Sequence, residues 1–284
     1  MRPVAGGART PRVVQVLGSS AGGVARHVAQ LSALLADDGA TVRVAGPAAV
    51  REIVRPGSTV RFVPVEIADR PRAGDVEAVR ALRRLASGAD VLHAHGLRAG
   101  ALAVMAARLC GRHRPTVVVT LHNLPVGGRA IRAVAGALEL VVARGADVVL
   151  GVSGDLVARA GRLGATWTER ALVPAPVRPR GDGPAARLSL GVEPGTGLVV
   201  TVARLAPQKG LETLLDAAAL LEAPALWCLA GDGPLEEGLR GRVEAQGLPV
   251  RLLGRRDDVA ALLAAADVVV QTSVWEGQPL GKPL

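Results

Sequence analysis

Short apolar runs alternate with stretches of helical periodicity along nearly the whole chain. Residues 12–17 form the first run, and a Gly-rich turn over residues 18–23 closes it. Val24, Val28, Leu31 and Leu35 then recur at helical spacing. Second and third strands are predicted over residues 41–45 and 60–63. Val76, Val79, Leu82 and Leu85 mark the inner face of an amphipathic helix over residues 75–85. A strand over residues 90–96 carries His93 and His95 near its end, and an Ala-rich helix follows over residues 97–110. The strand over residues 116–123 also ends in a histidine, His122. A helix over residues 130–144, a strand over 146–153 and a helix reaching Leu163 complete this half, with Ser153 as the expected N-cap of the last.

The stretch from Pro174 to Pro184 is rich in proline and glycine, and residues 174–196 read as a linker between residues 1–173 and 197–284. After it the alternation resumes. Strands are predicted over residues 198–203, 225–231, 250–254 and 267–271, with helices over 211–221, 235–246 and 258–265 between them. A polar loop over residues 272–280 comes last. Strand following helix following strand predicts an α/β chain with two doubly wound parallel sheets and right-handed crossovers.

Composition narrows the chemistry. Of 284 residues, 49% are hydrophobic but only 1% aromatic, so the cores are built from Val, Leu and Ala, as suits parallel sheets covered by helices. So few aromatics exclude a base-stacking nucleic-acid binder, and no nucleic-acid-binding signature accompanies the net charge of +9. The arginines are dispersed, which fits anionic substrates or weak peripheral attraction to an anionic membrane face. Cys110 and Cys228 each lie in an apolar segment and read as buried free thiols of a reducing compartment. The first ten residues lack the apolar core of a signal peptide, and no apolar run reaches membrane-spanning length, so the expected location is cytoplasmic.

Candidate chemistry gathers where strands end. Arg204 and Lys209 lie on a strand-to-helix loop, the edge where open α/β sheets bind ligands. Two cations beside a helix N-terminus suit a diphosphate, although two solvated surface charges would look the same in sequence. Lys209 and Lys282 are the only lysines in a chain with 34 basic residues. Gly22 and Gly23 let backbone N–H groups approach a ligand closely, but the full dinucleotide fingerprint is missing. His95 and His122 both end strands and open onto one rim, and His93 alternates with His95 on the same side.

Three parts, the Gly22-Gly23 loop, the loop from Arg204 to Lys209-Gly210, and Asp267 through Trp275-Glu276-Gly277 to Pro279-Leu280, together resemble the retaining glycosyltransferases of glycosyltransferase family four, which have the GT-B fold of two Rossmann-like domains. The resemblance covers roughly residues 12–280. It implies that Arg204 and Lys209 hold the diphosphate of a nucleotide-sugar donor, with Gly22 and Gly23 reaching the phosphates and Gly254 and Arg255 near the base. It implies that Glu276, followed by Gly277, contacts the donor sugar, and that His122 lies near the reacting carbon. Residues 1–173 would bind the acceptor, a lipid, glycan or small molecule. It implies no metal or cofactor beyond the donor, with the donor phosphate assisting deprotonation of the acceptor. One departure stands out. The family's second glutamate falls at Leu284, which cannot accept a ribose hydroxyl, and Pro283 opposes the helix expected there. The expectation is an incomplete second domain with little or no transferase activity. An inactive remnant and a GT-B nucleotide-sugar epimerase are the other readings.

Overall fold

The computed structural model describes residues 10–19, 22–54, 59–68, 70–124, 128–173 and 181–274. It divides into two compact units, Met1–Pro174 and Ala175–Leu284.

The first unit runs β1 (Arg12–Leu17), α1 (Gly23–Asp37), β2 (Thr41–Gly46), α2 (Arg51–Val54), β3 (Val60–Pro64), α3 (Asp75–Ala86), β4 (Val91–His95), α4 (Leu97–Arg108), β5 (Thr116–Leu121), α5 (Arg129–Gly145), β6 (Val148–Gly151), α6 (Gly154–Arg162) and β7 (Thr168–Arg170). Its seven strands lie in the order β3-β2-β1-β4-β5-β6-β7, and every pair is parallel. The order reverses between β1 and β4, so the carboxyl ends of those two strands open a crevice. Residues 13–17 are all buried, as a strand covered on both faces requires. Helix α4 lies close on β5: a Cβ at Gly100 would stand 2.6 Å from Val119 Cγ1.

The second unit contains α7 (Gly183–Ser189), β8 (Gly197–Val202), α8 (Leu211–Ala219), β9 (Ala225–Ala230), α9 (Glu236–Gln246), β10 (Val250–Gly254), α10 (Val259–Ala265) and β11 (Val268–Val269). Its parallel order is β10-β9-β8-β11, with the reversal between β8 and β11. Strand alternation feeds two cores. Trp227, Leu229 and Val250 pack with Leu211, Leu214, Leu215 and Leu239 of α8 and α9. Leu198, Val200, Cys228 and Ala230 pack with Ala186 of α7, Leu190 just after it, and Leu262 and Ala265 of α10.

The same device starts three strands. Ala-Asp-Val precedes or opens β4, β6 and β11, and each Asp accepts the N–H of the first or second residue of a neighbouring strand. Asp90 takes Arg12 N–H at 2.8 Å, Asp147 takes Val117 N–H at 2.7 Å, and Asp267 takes Leu198 N–H at 2.7 Å. These bonds satisfy edge donors that the ladders leave over.

Three local expectations change. The segment read as linker includes α7, whose first turn holds Pro184 and is capped by Asp182, accepting Ala185 N–H at 3.0 Å. Proline and glycine mark a helix start there as readily as a linker. Ser153 sits at the N-cap of α6, but its hydroxyl donates to Asp155 instead of accepting a backbone N–H. Both cysteines are free, yet only Cys228 is buried, Cys110 being partly exposed after α4. Among the described residues no helix is long and apolar enough to cross a membrane.

Candidate functional site

In the second unit the loops after all four strands are laced together at the carboxyl edge. Leu205 N–H donates to Asp232 O at 2.7 Å, and Leu235 N–H donates to Leu205 O at 3.0 Å. Gly231 N–H donates to Gly254 O at 2.8 Å, tying the end of β9 to the end of β10. Thr272 Oγ1 donates to Lys209 O at 3.1 Å and Val274 N–H to Gln208 O at 3.0 Å, which docks the loop after β11 onto the turn before α8. Glycine makes these approaches possible. Gly231 has φ +148°, and a Cβ there would stand 1.8 Å from Ala203 O. Gly210 has φ +59°, and its Cβ would stand 2.1 Å from Thr272 O.

Arg204 and Lys209 are carried on this frame. Arg204 lies two residues after the end of β8 and is exposed, and its guanidinium has no ion-pair or hydrogen-bond partner among the described residues. Lys209 ends a 3-10 turn over Pro207–Lys209, and Gly210 is the N-cap of α8. Both cations and the N-terminal amides of a nine-residue helix thus meet at the reversal of strand order. Such amides favour an anion. Gly254 ends β10 in the left-handed region at φ +64°. The next two arginines differ: Arg256 is engaged by Asp258, at 2.8 and 2.6 Å, while Arg255 is exposed with no partner among the described residues. Glu276 and Gly277 lie outside the described residues.

In the first unit, Gly22 has φ +122° and is the N-cap of α1, whose first residue is Gly23. Four histidines from three places in the sequence come together beside this helix start. His95 Nδ1 lies 3.2 Å from His122 Nε2, and His95 Nε2 lies 2.7 Å from Gln15 Oε1. His93 lies against His95 with ring centroids 4.2 Å apart and planes tilted by 35°, and it hydrogen-bonds with Thr120 Oγ1 at 2.8 Å. His27 of α1 stands edge-on to His95 and His122, at 5.6 and 5.9 Å. Burial is the first cause that lowers all four pKa values, and neighbouring imidazoles lower three of them further. His93 is pushed down to about 4 and His122 to about 3. The group is therefore neutral at physiological pH, and His122 meets His95 as a neutral hydrogen-bonding partner. Among the described residues no set of His, Cys, Asp and Glu is arranged to hold a metal ion.

His95 also lines a cavity of about 690 Å³ at the carboxyl end of β1 and β4. Gly18, Ser19 and Asn123 form its polar part, and Ile131, Val134 and Leu138 of α5 form an apolar wall. Arg98 also lines the cavity, donating to Ala68 O and Arg70 O at 3.1 Å each and to Asp75 Oδ1 at 2.8 Å. The sequence reading brought His93, His95 and His122 to one rim but missed Gln15, His27 and Arg98. Gln15 left a signal, as the one polar residue within Val-Val-Gln-Val-Leu. His27 and Arg98 sit on helix faces where a polar residue attracts no notice.

Two parallel doubly wound sheets, each with its glycine-opened loops at the carboxyl edge, define a GT-B glycosyltransferase architecture. The family model described as Glycosyl transferase 4-like domain matches residues 22–176, and the one for Glycosyl transferases group 1 matches residues 196–281. The chain belongs to the glycosyl transferase 4-like family. It is 28% identical over 211 residues to an Escherichia coli UDP-Gal:alpha-D-GlcNAc-diphosphoundecaprenol alpha-1,3-galactosyltransferase, covering 67% of this chain and 54% of that protein. It is 36% identical over 97 residues to the lipopolysaccharide core biosynthesis glycosyltransferase LpsE of Rhizobium meliloti, covering 34% of this chain and 28% of that protein. The chain thus spans about half the length of the first relative and less of the second. Among solved structures, Anabaena Alr3699/HepE in complex with UDP and glucose superposes with a TM-score of 0.75 at 22% identity, covering 94% of this chain and 76% of that one. Sucrose-phosphate synthase from Thermosynechococcus elongatus gives 0.71 at 21% identity, covering 96% and 77%. These likenesses show the fold.

Proposed function

We propose that the protein transfers a sugar, with retention of configuration, from a nucleoside-diphosphate sugar to an acceptor held by the first unit. The observation that carries this reading is the exposed Arg204, whose guanidinium has no partner among the described residues, on the same loop as Lys209 and the N-terminus of α8, at the switch point of a family-typical sheet. Side chains and helix amides meet the donor diphosphate and steady the departing nucleoside diphosphate, with no metal or other cofactor called for. Arg255, with the backbone at Gly254, lies toward the base, and Gly22 and Gly23 supply backbone contacts to phosphate. Glu276 and Gly277 hold the donor sugar in this reading, and His122 hydrogen-bonds near the reacting carbon.

Acid–base chemistry supports retention assisted by the donor phosphate. No carboxylate lines the cavity among the described residues, and burial makes His95 and His122 weak bases. A donor phosphate oxygen is then the better proton acceptor for the acceptor hydroxyl. The cavity favours an acceptor that joins an apolar chain to an anionic group. Ile131 and Val134 remain 49% and 45% exposed along its apolar wall, and Arg70 stands at its edge. The name of the Escherichia coli relative specifies a diphosphate-linked polyprenol sugar, which has this character. A net charge of +9 supports a peripheral seat on an anionic membrane face.

Calorimetric titration with uridine diphosphate and other nucleoside diphosphates tests the donor half. Arg204→Ala and Lys209→Ala are each expected to weaken the best binder about tenfold to a hundredfold, as loss of a charge-assisted hydrogen bond does. Unchanged affinity in both variants would remove the diphosphate assignment.

A further inference from the structure

Gln15 is wholly buried in the middle of β1, among Val and Leu. A buried amide disfavours folding unless it is hydrogen-bonded. Among the described residues only one half of this amide is satisfied: Oε1 meets His95, while Nε2 has no partner. A methionine of similar size would pack there without the orphaned donor. The half that is used therefore calls for a reason beyond packing.

The hydrogen-bond chemistry runs in one direction. An amide oxygen can only accept, so His95 Nε2, 2.7 Å away, carries a hydrogen. His95 is buried among three other imidazoles with no carboxylate in the group, and it holds a single ring proton. Its Nδ1 is then a lone pair. His122 Nε2 lies 3.2 Å from that lone pair and must donate to it. The second nitrogen of His122 is left as an acceptor. His27, edge-on to both rings, limits their rotation.

We infer that Gln15 and His95 are positioning residues, a buried relay that fixes the proton of His122 on Nε2 and leaves its Nδ1 as a hydrogen-bond acceptor. The consequence for transfer rests on the proposed function: His122 then accepts from a sugar hydroxyl and does not donate to an oxygen of the ligand. The relay itself depends only on the arrangement of the three side chains.

The test is long-range proton–nitrogen correlation NMR of the ¹⁵N-histidine-labelled protein at pH 7.5, which reads which nitrogen of each ring is protonated. Wild-type His95 and His122 are expected to be protonated on Nε2. Gln15→Met removes the acceptor, and the Nε2-to-Nδ1 tautomer ratio of His122 is expected to fall about fivefold. His95→Leu is expected to do the same, and His95→Asn, which can place an oxygen near the Nδ1 position, to restore most of the wild-type ratio. A wild-type His122 protonated on Nδ1 would overturn the relay, as would an unchanged ratio in folded Gln15→Met and His95→Leu proteins. If neither variant folds, the wild-type tautomer decides. Titrating uridine diphosphate into the same wild-type sample separates the two ideas. Expected tautomers without binding would leave the relay standing and the donor reading fallen, and binding with the opposite tautomer would do the reverse.

Discussion

Arg204 holds its charge at a strand end without a counter-ion among the described residues, whereas Arg256, on the loop after β10, is engaged by Asp258. An arginine left unpartnered on a well-ordered frame is the better candidate for a ligand's charge, because no internal bond need break when the ligand arrives. The histidines are constrained in the opposite way. They are packed together, neutral, and unable to charge without leaving the interior, and this sets a pH dependence whose sign follows by linkage. Below the ordinary imidazole pKa of 6.5 the unfolded chain binds protons that the folded chain refuses down to about 4 at His93 and about 3 at His122. Stability therefore rises with pH across that window and is lost as pH falls through it. For His93 alone the loss is about 3 kcal/mol between pH 6.5 and 4. Urea denaturation of the first unit's signal at pH 7.5, 6 and 5 should show a midpoint that falls with acidification. A flat midpoint over that range would mean that the cluster is more open to water than its packing indicates.

At the scale of elements, the second unit's site is a set of loops held by backbone bonds that only glycine permits. Gly231→Ala places a methyl against Ala203 O and forces φ +148° on a residue with a Cβ. It is expected to destabilise the second unit by about 1–3 kcal/mol or more and to weaken nucleoside-diphosphate binding with it. Gly238→Ala is the matched comparison, because Gly238 lies in α9 with open space around it. There alanine should be neutral or stabilising by up to about 1 kcal/mol. Chemical denaturation followed by fluorescence of Trp227, which is buried in the α8–α9 core, reads both variants, and equal effects would contradict the strained-loop argument.

Much of this framework is legible from sequence because buried parallel strands are nearly continuous apolar runs and their helices repeat at fixed spacing. What escapes is what depends on distant partners. Gln15 and His95 are 80 residues apart, and no local pattern announces their bond. Residues 182–190 carried proline and glycine signals shared by linkers and helix starts, and only the apolar contacts of Ala186 and Leu190 with Leu198 and Leu262 decide between them. The aspartates at 90, 147 and 267 stood in plain view within Ala-Asp-Val, but their use became visible only with the neighbouring strand in place.

At the scale of the molecule, each of the two units repeats one plan, a parallel sheet whose strand order reverses beside a glycine-opened loop. The first unit places a neutral histidine group and a largely apolar cavity at that edge, and the second places fixed cations and helix amides. The proposed division of labour follows from that difference in chemistry: acceptor to the first, donor diphosphate to the second. Amide hydrogen exchange with and without uridine diphosphate tests this most directly, because it reports where the ligand sits as well as whether it binds. Slowed exchange over residues 204–211 and 231–235, abolished by Arg204→Ala, is the result expected of a diphosphate held at the end of β8. No protection at any concentration up to millimolar, or protection confined to the first unit, would contradict it.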